Sequence, residues 1–195
     1  MAEESPRIGR LEAGALASAL AILDVELGDG LYGADDLEAA ARDPSVLVLA
    51  AWQQEDLVAV AVGRVQIAED ADYYEAFGED ARRLFERGRV GSLEALAVLP
   101  RLRRRGLGAQ LIRRRVEWFQ EQGCASAIAI AWMPSNHPGG YSAPLFRELG
   151  FSEGSLVPEF YLVESARDGW SCPADGNPCR CGARLFWLDL PVQRG

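Results

Sequence analysis

Val98-Leu99-Pro100-Arg101-Leu102-Arg103-Arg104-Arg105-Gly106-Leu107-Gly108-Ala109 decides the fold. The run before it, Ser92 to Val98, reads as a strand that Pro100 stops, because proline has no N–H to give a ladder. Behind it, Leu107, Leu111, Ile112, Val116 and Phe119 form one apolar face and predict a helix over Gly106–Gln122, ended by Gly123. A helix starting at two glycines presents backbone N–H groups that have no intrahelical partner, and its dipole adds partial positive charge there. An anion such as a pyrophosphate fits that end. Gly106 and Gly108 lack a Cβ, so a phosphate can approach the backbone closely. Arg103, Arg104 and Arg105 add charge that can pair with phosphate oxygens. The plain alternative is a strand-to-helix turn with a solvated arginine face.

Outward from this loop, the chain alternates strands and helices. Leu11–Leu27 and Asp35–Arg42 read as helices. Val46–Trp52 and Leu57–Ala68 read as a hairpin of buried strands across the polar Gln53–Asp56. Glu69–Arg89 is charged with Tyr73, Tyr74, Phe77, Leu84 and Phe85 interleaved, and reads as a helix or ordered excursion over the sheet. Cys124–Trp132 is a continuous apolar strand, Met133–Tyr141 a loop, and Ser142–Leu149 a short helix with Gly150 at its C-terminal end. A strand pair of roughly Phe160–Glu164 and Ala183–Leu190 follows, interrupted by a Gly/Pro/Cys insert at 168–182. The order predicts an α/β chain with a mixed (α+β) sheet flanked by helices on both faces. No linker marks a second domain, so 1–195 reads as a single domain carrying a cysteine-rich knuckle.

Arg103-x-x-Gly106-x-Gly108, with Val98 and Pro100 ahead of it and a Leu/Ile-rich helix behind, resembles the acetyl-CoA signature of the GNAT superfamily of N-acyltransferases. The later strand, the Asn136 loop, the short helix and Leu145-Phe146-Arg147-Glu148-Leu149-Gly150-Phe151 follow in the order that family uses. The resemblance covers roughly residues 46–165. It implies a GNAT-like fold and transfer of an acetyl group from acetyl-CoA to a primary amine. It further implies that backbone N–H groups of Arg103, Arg104, Arg105, Gly106, Gly108 and Ala109 hold the pyrophosphate. Leu96, Ala97 and Val98 would pair with the pantetheine arm like an added strand, beside a bulge that sequence does not display, and Asn136 would contact the coenzyme.

Acyl transfer to an amine needs a group to take the amine proton, and can use another to protonate the leaving thiolate. Glu94, on the strand before the loop, is the candidate base by this resemblance; a solvent-facing Glu is the alternative. The chain departs from the family at Phe146, where many members carry Tyr. Tyr141 is the substitute candidate acid, although a coenzyme A thiolate leaves well enough to make an acid dispensable. His137, the only histidine, lies in the same loop and suits proton transfer near neutrality, though a lone loop histidine is as well read as a bystander. The runner-up function is a GNAT-fold module that binds coenzyme A without turnover, as a sensor or regulatory protein.

The net charge is -9 at pH 7 and the pI about 4.7, so nucleic acid and anionic membrane are poor partners. All 20 basic residues are arginine, with no lysine, so the lysine-bearing P-loop is excluded. A dinucleotide fingerprint fails because the glycines come mid-chain with no acidic residue about 20 positions on. No apolar run is long enough to span a bilayer, and Met1–Arg10 lacks the apolar core of a signal peptide. The expected location is therefore the cytoplasm. The acceptor is a small-molecule or protein amine: polyamine, aminoglycoside, amino acid, or a protein lysine or N-terminus. Glu69, Asp70, Asp72 and Glu75 would recruit a cationic one, unless they are simply a solvated surface. A homodimer is compatible with the resemblance.

Cys172-Pro173-Ala174-Asp175-Gly176-Asn177-Pro178-Cys179-Arg180-Cys181 is the second chemical signal. Thiolates clustered this closely suit a tetrahedral zinc ion, with Asp175 where a Cys-x-x-Cys pair would place its second sulfur. Cys172, Asp175, Cys179 and Cys181 are the candidate ligands of a structural zinc; free thiols in a loop are the alternative. Cys124 reads as a small buried hydrophobe.

Overall fold

The structure is a computed structural model, and it describes residues 5–191. The first four residues of the Met1–Arg10 stretch and the last four of the chain lie outside it. Seven strands form one mixed sheet: β1 (Arg7–Arg10), β2 (Val46–Gln53), β3 (Asp56–Gln66), β4 (Val90–Val98), β5 (Ser126–Met133), β6 (Ser152–Val157) and β7 (Gly182–Asp189). Their spatial order is β1-β2-β3-β4-β5-β7-β6. Every neighbouring pair is antiparallel except β4–β5. A parallel pair needs a long crossover, and here that crossover is the loop described above plus a helix.

The helices are α1 (Leu16–Leu27), α2 (Ala34–Arg42), α3 (Glu79–Glu86), α4 (Leu107–Glu121), α5 (Ala143–Glu148) and α6 (Leu162–Asp168). α1 and α2 bury Ala19, Leu23 and Leu37 against Val48, Val60 and Val62 on one face of the sheet. α4 and α5 bury Leu111, Ile112, Phe119 and Phe146 against Leu47, Leu49 and Ala61 on the other. The mixed sheet covered on both faces is thus present as the apolar pattern predicts.

Three details depart from the sequence reading. Phe160–Glu164 is not a strand. The partner of β7 is Ser152–Val157, an edge strand without buried residues, so it shows no apolar alternation to read. The aromatic pair Phe160–Tyr161 instead leads into α6, with Tyr161 and Ser165 buried one turn apart, and Gly169 ends that helix in the left-handed conformation. β1 was not foreseen: four residues are too few for a pattern, and Arg7 is held there over the Trp52 ring at 4.4 Å. The Glu69–Arg89 excursion is two pieces, a 3-10 segment (Ala68–Phe77) and then α3. Tyr74 and Phe77 face in, while Glu69, Asp70, Asp72 and Glu75 face solvent.

The sheet is distorted at one place that matters. The β3–β4 register runs Val62↔Ala95 and then Gly63↔Leu93, leaving Glu94 as an extra residue in β4. Such a bulge turns two successive side chains toward one face. Accordingly Leu93 and Leu96 pack on the α4 face, whereas Ala95 and Ala97 pack on the α1 face. Arg115 of α4 reaches the backbone of both strands beside the bulge. Its Nη1 donates to the carbonyls of Val62 and Ala95, both at 2.8 Å, and its Nε donates to Leu111 at 3.2 Å. Arg115 is 1% exposed. Burial pulls its pKa down to about 9 while Tyr32 and Glu94 pull it up, so it stays charged at neutral pH. Beside it, Phe119 lies flat on the backbone of Gly91, where a Cβ would sit 2.2 Å from the ring.

Arg115→Met keeps the apolar stem but removes the charged donor to the Val62, Ala95 and Leu111 carbonyls. Buried hydrogen bonds from a charged donor contribute about 1.5–3 kcal/mol each, so the expected loss is about 2–4 kcal/mol of unfolding free energy, measured by urea denaturation. A loss below about 0.5 kcal/mol would show that the bulge does not depend on Arg115.

Candidate active site

The bulge opens the sheet. β4 and β5 pair only from Val90 to Leu93 against Ser126 to Ala129. Beyond Leu93, β4 continues on β3 and β5 continues on β7. The β5-facing backbone of Glu94–Val98, which includes Leu96, Ala97 and Val98, therefore has no strand partner. An extended ligand chain can lie in that gap and bond to the free edge.

At the end of this edge the chain turns through the Leu99–Gly106 loop into α4. Arg104 and Gly106 adopt positive φ, 61° and 82°, which turns the chain sharply. No side chain caps α4, so its first-turn N–H groups, those of Leu107, Gly108 and Ala109 among them, remain available to an anion. Arg104 and Arg105 are exposed beside them. Arg103 has a different post. Its backbone N–H donates to Pro100 at 3.2 Å, its Nε donates to the Val98 carbonyl at 2.9 Å, and its guanidinium pairs with Glu26 of α1. It braces the loop against α1.

On the α1 side the gap widens into a cavity of about 500 Å³, within the usual size of a small-ligand site. Leu93 to Leu96 of β4 and Ile130 and Trp132 of β5 form its floor; Tyr32, Tyr73, Tyr74, Phe146, Tyr161, Glu164 and Trp170 form its walls. The indole N–H groups of Trp132 and Trp170 and the Oε1 of Gln66 are buried without a protein partner.

Glu94, the bulged residue, lines this cavity. Its side chain keeps 23% of its accessibility, enough to meet a ligand while little water surrounds it. Burial pushes its carboxyl above the usual range, and Arg64, which donates Nε to its Oε1 at 2.8 Å, pulls it partly back. Burial likewise raises Glu164. It also holds the phenols of Tyr32, Tyr73 and Tyr74 well above their ordinary value, so they stay protonated donors.

The loop after β5 is placed differently from Glu94. Tyr141 is 71% exposed and stacks on His137 at 4.5 Å; neither lines the cavity, and Asn136 is exposed in the same loop. Phe146 does line it. Sequence reasoning missed Tyr32, Tyr161 and Trp170 as wall residues, because they come from three separate connections and share no spacing.

Comparison with known proteins agrees with this geometry. Residues 21–151 match the Acetyltransferase (GNAT) family. The chain belongs to the GNAT acetyltransferase family. No curated protein sequence matches it significantly. Among solved structures similar to this GNAT chain is the Escherichia coli ribosomal-protein-S18-alanine N-acetyltransferase, at 18% identity and TM-score 0.65, covering 98% of this chain and 97% of that one. Arabidopsis thaliana NAA60 in complex with acetyl-CoA matches at 14% identity and TM-score 0.71, covering 95% and 99%. A Drosophila melanogaster polyamine N-acetyltransferase matches at 17% identity and TM-score 0.64, covering 95% and 100%. At these identities the likeness concerns the fold. Among the described residues of this GNAT chain, no helix is long and apolar enough to cross a membrane.

The electrostatics of Glu94 give a stability test. A carboxyl raised on folding favours its protonated form, so its ionisation opposes folding. That penalty is absent below the unfolded pKa of about 4.3 and grows as pH rises through the higher folded value. Glu94→Gln removes it. The Tm difference, variant minus parent, should therefore increase from about pH 4 to about pH 8 in calorimetric scans; a difference that falls with pH would refute a raised Glu94.

Proposed function

We propose that this chain transfers an acetyl group from acetyl-CoA to a primary amine of an acceptor held in the aromatic cavity. The observation that carries this reading is the position of Glu94. The bulged carboxylate stands where the β4–β5 gap meets the cavity, one end of that gap leading to the uncapped start of α4. In this reading the first-turn N–H groups of α4 and the loop hold the pyrophosphate, with Arg104 and Arg105 adding charge. The pantetheine runs along Leu96, Ala97 and Val98, and the thioester reaches Glu94.

The chemistry then needs few parts. A protonated amine loses a proton to Glu94 and attacks the thioester carbonyl carbon. The C–N bond forms; as the tetrahedral adduct collapses the C–S bond breaks, and the second proton leaves the amide nitrogen for the departing coenzyme sulfur, giving the amide and the free thiol. The protonated phenols of Tyr32 and Tyr73 stand in the wall as donors, in place of Tyr141. Two carboxylates, Glu94 and Glu164, among aromatic rings favour a cationic amine. The similar structures include a ribosomal-protein-S18-alanine N-acetyltransferase and an enzyme that forms N-acetylagmatine, and a cavity of this size accepts either a small amine or the end of a peptide. The four cysteines form no disulfide, which suits the reducing cytoplasm.

Two measurements test the reading. Gly108→Glu puts a carboxylate beside the anion position, where the added Cβ meets only ordinary contacts with Leu145 and Leu96, at 3.4 and 3.7 Å. Acetyl-CoA affinity should fall roughly 100-fold or more by titration calorimetry, with the circular dichroism of the parent retained. Unchanged affinity would remove the pyrophosphate from this loop. In a thiol-release assay with an active amine, Glu94→Gln should lower kcat/KM about 10²–10³-fold. Arg64→Gln removes the charge that pulls Glu94 down, so the acidic limb of its pH profile should move to higher pH. A full rate in Glu94→Gln across the neutral range would end the base assignment.

A further inference from the structure

We propose that Cys172, Asp175, Cys179 and Cys181 form a structural Zn²⁺ site that clamps two walls of the acceptor cavity, the Leu31–Tyr32 segment and α6 with Trp170, to the loop after β5. The four candidate ligand atoms, three Sγ and one carboxylate oxygen, lie within 4.8 Å of one another. Zn–S bonds of about 2.3 Å at the tetrahedral angle place two sulfurs about 3.8 Å apart. The Sγ atoms of Cys172 and Cys181 are 3.8 Å apart. A Zn–O bond of about 2.0 Å shortens a mixed edge to about 3.5 Å, and Cys181 Sγ stands 3.3 Å from Asp175 Oδ2.

The surroundings are built like an outer ligand shell. The Asp175 N–H donates to Cys172 Sγ at 3.1 Å. The Ser135 hydroxyl donates to Asp175 Oδ1 at 2.7 Å, which leaves Oδ2 toward the thiols. Cys172 and Gly176 close a small ladder on each other, and all three cysteines are at most 4% exposed. Three soft thiolates and one carboxylate in a tetrahedron select zinc over the oxygen-loving divalent ions. With four protein ligands no position stays open for chemistry, so the ion is structural.

The knuckle reaches each of these three segments by a direct bond. The Ser171 N–H donates to the Asp29 carbonyl at 3.0 Å, tying it to the segment that carries Leu31 and Tyr32. Ser135 ties it to the loop after β5. The Cys179 N–H donates to Ser165 Oγ at 2.8 Å, and Asn177 Nδ2 donates to the carbonyls of Ser165 and Trp170, both at 2.7 Å. That fixes α6 and Trp170, whose indole stacks on Trp132. The metal assignment stands on its own geometry; its effect on the acceptor rests on the reading of the cavity given above.

The test begins with elemental analysis of protein purified without an affinity metal, from zinc-replete cells. One zinc per chain is expected. Chelator-stripped protein refilled with Co²⁺ should show thiolate-to-cobalt charge transfer and the strong visible bands of a tetrahedral ion. Asp175→Cys, which keeps every thiol and adds one, should bind the ion more tightly and intensify the charge-transfer band. Substoichiometric metal together with no charge-transfer band in either protein overturns the site. For the clamp, stripping should raise the amine KM by about tenfold or more while the acetyl-CoA Kd holds, and should speed hydrogen exchange at Ser171 and Cys179. Unchanged KM and exchange in the stripped protein would leave a metal site with no hold on the cavity. Metal content, cobalt spectrum and exchange are read without turnover, so they decide this proposal even if no acetyl transfer is found.

Discussion

The bond between Arg115 and the bulged strand pair is the constraint from which the site follows. Inserting Glu94 into β4 shifts the ladder register next to the Val62–Ala95 pair, whose carbonyls lie in the core. Buried carbonyls need donors, and one guanidinium on α4 serves both. That bond fixes the helix to the distorted strand. It thereby fixes the N-terminus of α4 relative to the free edge of β4, and with it the two places a long ligand would touch. The same insertion turns Glu94 into the cavity. A regular strand of this sequence would close against β5 and have no gap.

The two sides of the site are made of different material. Toward α4 the contacts available to a ligand are backbone N–H groups and a strand edge, placed by a turn, two glycines and a bulge. Toward α1 they are side chains drawn from distant segments: Tyr32 after α1, Tyr73 and Tyr74 in the 3-10 segment, Tyr161 and Glu164 around α6, and Trp170. Backbone contacts suit one shared ligand, whereas side chains contributed by connections can be exchanged without disturbing the sheet. The knuckle belongs to the second side, because its bonds run to Asp29, Ser135 and Ser165 rather than to the α4 loop.

This difference in material also explains what the sequence displayed. The loop from Val98 to Ala109 is contiguous, and its proline, arginines and glycines each have a local physical reason, so strand, turn and helix were readable from it. The hairpin of β2 and β3 was readable because its residues are buried on both faces. The bulge was not, because nothing in Leu93-Glu94-Ala95 differs from an ordinary strand; only the partner register reveals the extra residue. β6 escaped because an exposed edge strand has no alternation, and the apolar run Phe160 to Val163 drew the strand assignment onto α6. Tyr141 is near Phe146 in sequence, yet it faces solvent on His137, while the phenols that line the cavity come from far along the chain.

The most direct measurement is a crystal structure of the protein with acetyl-CoA. The account predicts the pyrophosphate against the first-turn N–H groups of α4. It predicts the pantetheine amides bonded to the backbone of Leu96 to Val98 in the β4–β5 gap, and the acetyl carbon beside Glu94 at the cavity floor. A coenzyme bound elsewhere, or a gap between β4 and β5 left empty at saturating acetyl-CoA, would contradict it.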